Sequence, residues 1–452
     1  MRLSELSPIT SGTLHGDEDA EFCSVSIDTR TLKSGDLFVA INGQRFDGHD
    51  FVSQAYKLGA CGAIVEHRLD YPLPQVVVAD ARIALGKLGA AWRGKCHARV
   101  VGLTGSNGKT TVKEMIASIL SVNAKILCTR GNLNNDLGVP LTLLGLAPDH
   151  LYAVVEMGAN HPGEIAYVAR MSKPDVALIT NAGEAHLEGF GSREGIAQGK
   201  GEIIASLGSD GIAILNADDC FFGYWRELAG SRRVVSFGFG KDANVKGLSD
   251  SVRITWDGDG FKTFFCFEHQ GVRHDASLNL AGRHNVANAL AAVATCSALG
   301  VGFEQIKQGL SRLTPVSGRI QPDRAGNGAL MINDSYNANP SSFKAALEVL
   351  AEMPGQPWVA LGAFGELGET SAELHENLGT LAKTFGVVRL FATGPQADKA
   401  VESFGQGGSY FTCLEDMIDK IKEELSQDVA LLVKGSRSQH MERVIEALRA
   451  RT

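Results

Sequence analysis

Residues 100–111 read VVGLTGSNGKTT, and they combine an apolar run, a glycine-rich turn and the start of a helix. The run at residues 100–103 predicts a short buried strand. After the turn, apolar residues recur at the i, i+3, i+4 and i+7 spacing of one helix face: Val112, Met115, Ile116, Ile119 and Leu120. The segment therefore predicts a strand, a turn and a helix that begins near Lys109.

The turn has the composition of a phosphate-binding loop. Its backbone N–H groups can converge on an anion, the helix N-terminus adds partial positive charge, and Lys109 supplies a full positive charge. Thr110 can place its hydroxyl on a magnesium ion. Seven residues form this predicted loop: Gly105, Ser106, Asn107, Gly108, Lys109, Thr110 and Thr111.

The spacing of the two glycines departs from the standard Walker A motif. That motif has four residues between its glycines, whereas two residues separate Gly105 from Gly108. An ordinary glycine turn before a helix would explain the glycines alone. A strand followed by G-x-x-G-K-T-T and a helix is much rarer, so the pattern favours phosphate binding.

The composition restricts the class of protein. The chain has 452 residues, of which 44% are hydrophobic and 21% charged, and we expect two to four globular domains. The formal net charge of −8 argues against a nucleic-acid or membrane-surface partner. No apolar run is long enough to span a bilayer, and residues 1–10 lack the apolar core of a signal peptide. We therefore expect no membrane insertion.

The cysteines indicate a cytosolic location. Eight of them are scattered along the chain, and no two form a C-x-x-C pair. This pattern is typical of reduced thiols, and it argues against a zinc site.

Residues 1–97 predict a separate small α/β domain, with strands at residues 36–41, 62–66 and 75–79. A substrate site and a solvated surface both fit the polar side chains near its loops, and the pattern alone favours the solvated surface. These side chains are Asp28, Thr29, Arg30, Arg45, Asp47 and His49.

Residues 98–313 predict a P-loop domain with a parallel sheet, because apolar strands at residues 152–157, 176–180 and 212–215 alternate with helical stretches. Ligands of such sheets bind beyond the carboxyl ends of the strands. Glu156 ends one of these strands, and His186 follows the next. Residues 232–280 predict irregular β structure. A helix follows, in which His284 and Asn288 share one face.

Residues 314–452 predict a third, Rossmann-like domain with strands at residues 330–332, 358–361, 388–391 and 430–433. Asp334 lies just past the first of these strands, and Lys434 lies just past the last.

The phosphate loop, Glu156 and His186 together suggest a magnesium site that serves a nucleoside triphosphate. Each residue alone has a simpler interpretation. Glu156 can be a capped or solvated carboxylate, and His186 can be a satisfied loop histidine. Lys200, in the helical stretch at residues 194–206, is by default a solvated helix charge.

The sequence closely resembles the Mur ligases, the ATP-dependent amide-forming enzymes of peptidoglycan precursor synthesis. The resemblance rests on TGSNGKTT at residues 104–111, GRHNVANA at 282–289, S-G-R at 317–319 and NDSYNANP at 333–340. Other stretches resemble the members that add D-alanyl-D-alanine, namely GNLNNDLGVP at 131–140, MGANHPGEI at 157–165, AHLEGFG at 185–191 and VKGSRS at 433–438. The motif of the sister enzymes that add diaminopimelate is absent.

The resemblance implies roles for the nucleotide residues. Lys109 would hold the β- and γ-phosphates of ATP, and Thr110 and Glu156 would hold a first Mg²⁺. His186 and a carbamylated Lys200 would hold a second Mg²⁺. Asn288, with His284, would contact the adenine region. Arg319 would reach the phosphates from the third domain, and Asp334 would reach the ribose.

The resemblance also implies roles in binding the two other substrates. In the first domain, the UDP-sugar would be surrounded by Thr29, Arg30, Arg45, Asp47 and His49. Asn134 and Asn135 would contact the same substrate near its diphosphate. Lys434 and Arg437 are candidates for handling the incoming dipeptide.

The implied reaction joins D-alanyl-D-alanine to UDP-N-acetylmuramoyl-tripeptide through an acyl phosphate, with release of ADP and phosphate. We expect a monomer whose third domain closes on the second, with a hinge near residues 313–318. One alternative is a folylpolyglutamate synthetase-like ligase of the same superfamily. Another is a nucleotide-binding regulatory protein without ligase activity.

Three motifs depart from the family pattern. Ser317 replaces the usual proline before Gly-Arg, and Ala363 and Phe364 replace the usual Asp-Met. Gly199 stands where an alanine is common, which should affect helix stability more than chemistry.

Overall fold

The computed structural model describes residues 1–43, 45–183, 187–256 and 260–449 of the chain. Within these residues the strands form three sheets. One sheet lies in each of the three predicted ranges, 1–97, 98–313 and 314–452. The α/β class with three domains is thus confirmed, while the domain limits near residues 97 and 313 stay predictions.

The first domain contains a sheet with the strand order β1-β5-β4-β3-β2, in which only the β1–β5 pair is antiparallel. Its strands are β1 (Thr13–His15), β2 (Val25–Ser26), β3 (Leu37–Val39), β4 (Gly62–Val65) and β5 (Gln75–Val77). Its helices are α1 (Leu6–Thr10), α2 (Val52–Lys57) and α3 (Ala81–Gly94), with 3-10 turns at Leu3–Glu5 and Gly48–Phe51.

The second domain contains the predicted parallel sheet, in the order β12-β11-β10-β9-β6-β8-β7, and three antiparallel strands extend it beyond β12. Its strands are β6 (Arg99–Thr104), β7 (Ile126–Cys128), β8 (Tyr152–Glu156), β9 (Val176–Ile179), β10 (Ile212–Asn216), β11 (Arg233–Gly238), β12 (Val245–Gly247), β13 (Arg253–Trp256), β14 (Phe261–His269) and β15 (Val272–Leu278). Its helices are α4 (Lys109–Leu120), α5 (Gly138–Leu144), α6 (Glu164–Ser172), α7 (Leu187–Phe190), α8 (Arg193–Ala205), α9 (Phe222–Ala229), α10 (Arg283–Ala298) and α11 (Phe303–Ser311), with a 3-10 turn at Ser249–Ser251.

Strand β6 lies in the interior of this sheet, between β8 and β9. Its successive residues point to opposite faces, so Val101 packs in the core beneath α4, α10 and α11, and Val100 packs in the core beneath α5, α6, α8 and α9. Burial on both faces explains why residues 100–103 are an unbroken apolar run.

The expectation of irregular β structure at residues 232–280 is wrong. The segment contains β11, which continues the parallel sheet, and the regular antiparallel strands β13, β14 and β15. In β14, alternate side chains are buried, including Phe261, Phe265 and Phe267. This alternation is present in the sequence, but charged residues and glycines in the connections obscured it.

The third domain contains a sheet in the order β16-β17-β21-β18-β19-β20, parallel except for edge strand β16. Its strands are β16 (Gln321–Arg324), β17 (Leu330–Asp334), β18 (Gln356–Gly362), β19 (Arg389–Thr393), β20 (Gly408–Phe411) and β21 (Val429–Lys434). Its helices are α12 (Pro340–Ala351), α13 (Ser371–Thr384), α14 (Ala397–Phe404), α15 (Leu414–Glu424) and α16 (Glu442–Leu448), with 3-10 turns at Gly368–Thr370 and Arg437–Gln439. The strands predicted for this domain are confirmed, with ends that differ by up to two residues.

Hydrophobic contacts join the domains. Leu137 and Leu141, in and beside α5, pack against the core of the first domain. The β13–β14 pair packs against the third domain, where Phe261 belongs to the same buried cluster as Leu330 and Phe343. The third domain is therefore held by this contact as well as by its connection at residues 313–318.

No helix in the described ranges is both long and apolar enough to cross a membrane.

Helices α13 and α14 approach each other closely at Gly379. A Cβ atom built there would lie 1.9 Å from the carbonyl oxygen of Ala400, so the two backbones would have to separate. We expect Gly379→Ala to lower the thermal unfolding temperature, because overpacking costs about 1–3 kcal/mol. Gly223→Ala in α9 is the matched control, since its Cβ would meet no atom within 4 Å. Equal thermal stability of the two variants would contradict the helix packing described here.

Candidate functional site

A cavity of about 390 Å³ opens between the second and third domains. The phosphate loop forms one wall of this cavity, and residues from α10 and from the third domain form the others. Every predicted loop residue from Ser106 to Thr111 lines it, together with His284, Asn288, Arg319, Asp334 and Lys434. The structure thus brings the predicted nucleotide residues of two domains to one place.

The phosphate loop connects β6 to α4, as predicted. Gly105 has φ +152°, and a Cβ atom there would lie 1.8 Å from the hydroxyl of Thr180. Gly108 has φ +81°, and its Cβ would lie 2.4 Å from Asn288 Oδ1. Both positions therefore require glycine, because the loop is pressed between the end of β9 and helix α10.

Lys109 lies at the first position of α4, and its ammonium donates a hydrogen bond to the carbonyl of Gly105 at 2.6 Å. Burial lowers the pKa of Lys109, and the charge of Arg319 lowers it further. The carboxylates of Glu156 and Glu366 act in the opposite direction. Charged side chains of both the second and the third domain therefore lie near Lys109.

Glu156 is the last residue of β8 and is only 2% exposed. Its Oε1 accepts a hydrogen bond from the side-chain amide of Asn134 at 2.8 Å. Its Oε2 is buried and has no hydrogen-bond partner among the described residues. A buried carboxylate oxygen without a partner is costly, so this atom has the character expected of a cation ligand.

Lys200 lies in α8, and its side chain is 1% exposed. The default interpretation of a solvated helix charge is therefore wrong. Its ammonium lies 6.0 Å from the centre of the Phe190 ring, and it donates no hydrogen bond to any described residue. Burial holds the pKa of Lys200 well below its usual range, and the charge of Lys109 adds to this effect.

His186, the remaining predicted metal ligand, lies outside the described residues. Within the described ranges, no group of three or more His, Cys, Asp or Glu side chains is arranged to hold a metal ion. The described candidates for a metal site are thus Thr110, Glu156 and Lys200.

Asp334 and Lys434 form a buried pair at the ends of neighbouring strands β17 and β21. Lys434 donates to Asp334 Oδ2 and, at 3.0 Å, to the carbonyl of Asn337. Asp334 Oδ1 accepts from the backbone N–H of Ile320 at 3.2 Å. Lys434 therefore faces this cavity, and its role in handling the dipeptide stays a prediction.

His284 and Asn288 follow each other by one turn of α10, as predicted. Asn288 is 9% exposed and donates to Asn285 Oδ1 at 3.1 Å. His284 Nδ1 is buried without a hydrogen-bond partner in the described residues. It is a polar atom available to a ligand in the cavity.

Direct hydrogen bonds connect the phosphate loop to the third domain. Asn107 accepts from the Asn339 side chain at 2.7 Å and donates to the hydroxyl of Ser341 at 2.8 Å. Arg319 donates to the hydroxyl of Thr110 at 3.2 Å. Sequence reasoning missed Asn339 and Ser341, although an asparagine before Pro340 is a recognisable helix cap.

Several predicted substrate residues of the first domain form hydrogen bonds or ion pairs with neighbouring residues. His49 is 7% exposed, its Nδ1 pairs with Asp47, and its Nε2 accepts from the backbone N–H of Glu66. Thr29 donates to Gln54, and Arg30 pairs with Asp28. The interpretation as a solvated surface is correct for Arg30 and Arg45, which are exposed. It is wrong for Thr29 and His49, which are buried.

Asn134 and Asn135 have different surroundings. Asn134 binds Glu156, as described above, whereas Asn135 is exposed and accepts from the backbone N–H of Gly138 at the start of α5. The structure thus brings only Asn134 to the metal-site candidates.

A second cavity, of about 700 Å³, lies at the carboxyl ends of β18, β19 and β21. Its lining includes Glu188 of the second domain and, from the third domain, Phe364, Glu366, Ser371, Ser438 and Gln439. Arg437 does not line it and instead pairs with Glu442 at 3.0 Å. Ligands of parallel sheets bind beyond the carboxyl ends of the strands, and the end of β18 carries the same signal as the ends of β17 and β21. This cavity could therefore have been predicted from the sequence, but it was not.

Three models of known protein families match the chain. The model described as Mur ligase middle domain matches residues 103–296. The model described as Mur ligase, glutamate ligase domain matches residues 318–437, and the Mur ligase family, catalytic domain model matches residues 21–90. The chain belongs to the Mur ligase family.

Individual relatives match along nearly the whole chain. The UDP-N-acetylmuramoyl-tripeptide–D-alanyl-D-alanine ligase of Escherichia coli K12 is 44% identical over 448 residues, which is 99% of this chain and 98% of the relative. The ligase of the same name from Bacillus subtilis is 33% identical over 460 residues, with 99% and 98% coverage.

Solved structures agree with this similarity. A crystal structure of MurF from Acinetobacter baumannii has a TM-score of 0.92 at 39% identity and covers 99% of this chain and 98% of its own. MurF from Thermotoga maritima in complex with ADP has a TM-score of 0.83 at 29% identity, with 96% and 98% coverage. A folylpolyglutamate synthase from Mycobacterium tuberculosis has a TM-score of 0.64 at 16% identity, a likeness of fold alone.

The surroundings of His284 determine its charge. Burial lowers the pKa of His284 to about 4, against a usual value near 6.5. A lowered folded-state pKa means that acidification from about pH 6.5 to pH 4 favours the unfolded chain. We expect the imidazole to stay neutral at pH 5.5, as measured by NMR of ¹⁵N-labelled histidine, with the signal assigned by its loss in His284→Gln. A titration midpoint near 6.5 in the folded enzyme would contradict the described burial.

Proposed function

We propose that this chain is an ATP-dependent ligase that joins D-alanyl-D-alanine to UDP-N-acetylmuramoyl-tripeptide. The product is UDP-N-acetylmuramoyl-pentapeptide, and ADP and phosphate are released. The nearly complete match to relatives that carry this name supports the choice of substrates. Peptidoglycan precursor synthesis is the corresponding process.

One observation carries the ligase chemistry: Lys109, in the phosphate loop at the junction of two domains, lies close enough to Glu156 and Lys200 to interact electrostatically with both. Lys109 begins a helix whose N-terminus attracts anions, and it binds the β- and γ-phosphates of ATP. Arg319 reaches the same loop from the third domain. Positive charge on both sides of the transferring phosphoryl group stabilises the charge that develops there.

Magnesium fits the donors that the chain presents. The unpartnered Glu156 Oε2 and the hydroxyl of Thr110 are oxygen ligands of the type that Mg²⁺ prefers. His186 and Lys200 are proposed to hold a second ion. When bound, magnesium neutralises phosphate charge during phosphoryl transfer.

Lys200 is proposed to carry a carbamate. Its buried amine lacks a hydrogen-bond acceptor among the described residues and lies near the charge of Lys109. The ammonium first loses one proton to solvent. The neutral amine then adds to carbon dioxide and loses a second proton, which forms an N–C bond and completes the conversion of a cation into an anion. The resulting oxygens are suitable ligands for magnesium, whereas an ammonium would repel it.

The reaction proceeds in two steps. The terminal carboxylate of the tripeptide takes the γ-phosphoryl group of ATP, which gives an acyl phosphate and ADP. The amine of the dipeptide then attacks the acyl carbon, an amide bond forms, and phosphate leaves while the amine loses a proton. Contacts of Asn107 with Asn339 and Ser341 keep the two domains together, which limits the access of water to the acyl phosphate.

The second cavity is proposed to receive the dipeptide. It opens at the carboxyl ends of adjacent parallel strands, where ligands of such sheets bind. Glu366 lines it and also acts electrostatically on Lys109, so the cavity adjoins the phosphate loop. A carboxylate at this end suits the amine of the dipeptide. Arg437 follows β21 near this cavity and remains a candidate for the dipeptide, whereas the Lys434–Asp334 pair supports a role at the nucleotide.

The remaining roles follow the family resemblance. Asp334 is proposed for the ribose, and His284 and Asn288 are proposed for the adenine region. The UDP-sugar is proposed to bind at Thr29, Arg30, Arg45, Asp47 and His49 of the first domain, with Asn134 and Asn135 nearer the diphosphate. We also propose a monomer, and a cytoplasmic location, which suits eight cysteines that are free thiols.

Phosphate release tests this function. We expect the wild-type enzyme to release phosphate from ATP rapidly only when UDP-N-acetylmuramoyl-tripeptide and D-alanyl-D-alanine are both present. Lys109→Ala should reduce this rate by about 10²–10³, because one transition-state contact is lost. Folded Lys109→Ala with near-normal activity would contradict the phosphate-loop assignment.

The same assay separates the alternatives. Phosphate release that requires a folate and glutamate would favour a folylpolyglutamate synthetase-like enzyme. Nucleotide binding without turnover for either substrate pair would favour a regulatory protein.

A further inference from the structure

Lys113 is a buried charged residue that the proposed mechanism does not use. It lies in α4, one turn after Lys109, and its side chain is 1% exposed. Its ammonium donates to the carbonyl of Thr129 at 2.8 Å and pairs with Glu114 Oε1 at 2.8 Å. A lysine is rarely buried without such partners, because its charge must be compensated.

Thr129, the acceptor of this bond, fixes the end of strand β8. It directly follows β7 and is 2% exposed. Its N–H donates to the carbonyl of Val154 at 3.0 Å, and its hydroxyl accepts from the N–H of Glu156 at 3.0 Å. The carbonyl held by Lys113 is its remaining backbone group, so Thr129 links Lys113 to the backbone of Glu156.

The charges near the Lys113 ammonium favour its contacts with the Thr129 carbonyl and the Glu114 carboxylate. Burial raises the pKa of the neighbouring Cys128 thiol to about 12, so this group stays neutral and does not compete for the ammonium. Glu114 is the carboxylate that balances Lys113, and it also lines the nucleotide cavity. The ammonium is thus directed at one carbonyl and one carboxylate.

These contacts connect two groups that the proposed function assigns to one magnesium ion. Thr110 lies in the first turn of α4, and Glu156 ends β8. We propose that Lys113 is a positioning residue, which sets the separation between Thr110 and Glu156 by tying α4 to Thr129. This inference rests on the proposed function, because it requires that both residues hold the metal.

Removing either end of the connection should weaken metal binding while the fold is kept. Lys113→Met keeps an unbranched apolar side chain that is one atom shorter, but it leaves the Thr129 carbonyl without its donor. Thr129→Val preserves shape but removes the hydroxyl that accepts from Glu156, whereas Thr129→Ser keeps that hydroxyl. Residues that orient metal ligands typically contribute about 10–100-fold in metal affinity or activity.

Binding of Mn²⁺ to the full-length enzyme in the presence of ADP tests the proposal, with free Mn²⁺ measured by electron paramagnetic resonance. Mn²⁺ suits the same oxygen ligands as magnesium. We expect about tenfold weaker Mn²⁺ binding for Lys113→Met and for Thr129→Val, and wild-type binding for Thr129→Ser. The double variant should bind no more weakly than the weaker single variant, because both changes break one connection.

A control for lost stability is Gly379→Ala, which disturbs α13 and α14 and lines neither cavity. It should bind Mn²⁺ like wild type, although it unfolds at lower temperature. The concentration of Mg²⁺ needed for half-maximal phosphate release should rise in Lys113→Met and Thr129→Val in parallel with the loss of Mn²⁺ affinity.

Several outcomes would overturn the proposal. Folded Lys113→Met with wild-type Mn²⁺ affinity would do so, and if that variant does not fold, wild-type affinity of Thr129→Val would decide equally. An equal loss of affinity in Gly379→Ala would show a general effect of stability. Wild-type enzyme that binds no Mn²⁺ with ADP would instead contradict the proposed function itself, and this inference would fall with it.

Discussion

The site depends on how a half-buried lysine, Lys109, and a buried one, Lys200, are placed beside the phosphate loop. Lys109 is close enough to Lys200 for its positive charge to lower the pKa of Lys200, and burial removes the water that would screen this repulsion. Burial destabilises the charged form of each amine relative to its neutral form. Lys109 has the loop carbonyl and nearby carboxylates to stabilise its charge, whereas Lys200 has no acceptor among the described residues. Lys200 is therefore the group to which the proposed function assigns a change of chemical state, from ammonium to carbamate.

The fold produces this arrangement by ending parallel strands at one edge. Strands β6 and β8 are neighbours, so the phosphate loop and Glu156 leave the sheet side by side. Helix α8 packs beneath the same sheet and brings Lys200 up from one face, while α4 lies on the other face. The third domain uses the same rule for its own strands β17 and β21, which end at Asp334 and Lys434. Two sheets therefore direct their ligand-binding edges at one cavity.

Sequence reasoning recovered the parts of this arrangement that depend on local pattern. The phosphate loop, Glu156 at a strand end, and His284 and Asn288 on one helix face follow from apolar runs and helical spacing. The burial of Lys200 does not follow, because it depends on packing of α8 against the sheet and α9, and the helix carries no strong amphipathic pattern. The contacts of Asn107 with Asn339 and Ser341 join residues more than 230 positions apart, which no local pattern reports. Residues 232–280 were predicted as β structure but not as regular strands, because charged residues and glycines in the connections interrupt the alternation of buried and exposed side chains.

The charge state of Lys200 is the central claim, and NMR of enzyme equilibrated with ¹³C-labelled bicarbonate, Mg²⁺ and ADP tests it directly. Lysines and the chain terminus can also react with carbon dioxide, so the comparison must be with Lys200→Ala under identical conditions. The account predicts a carbamate carbonyl resonance in the wild-type enzyme that is absent from folded Lys200→Ala. Identical spectra for the two proteins would contradict it.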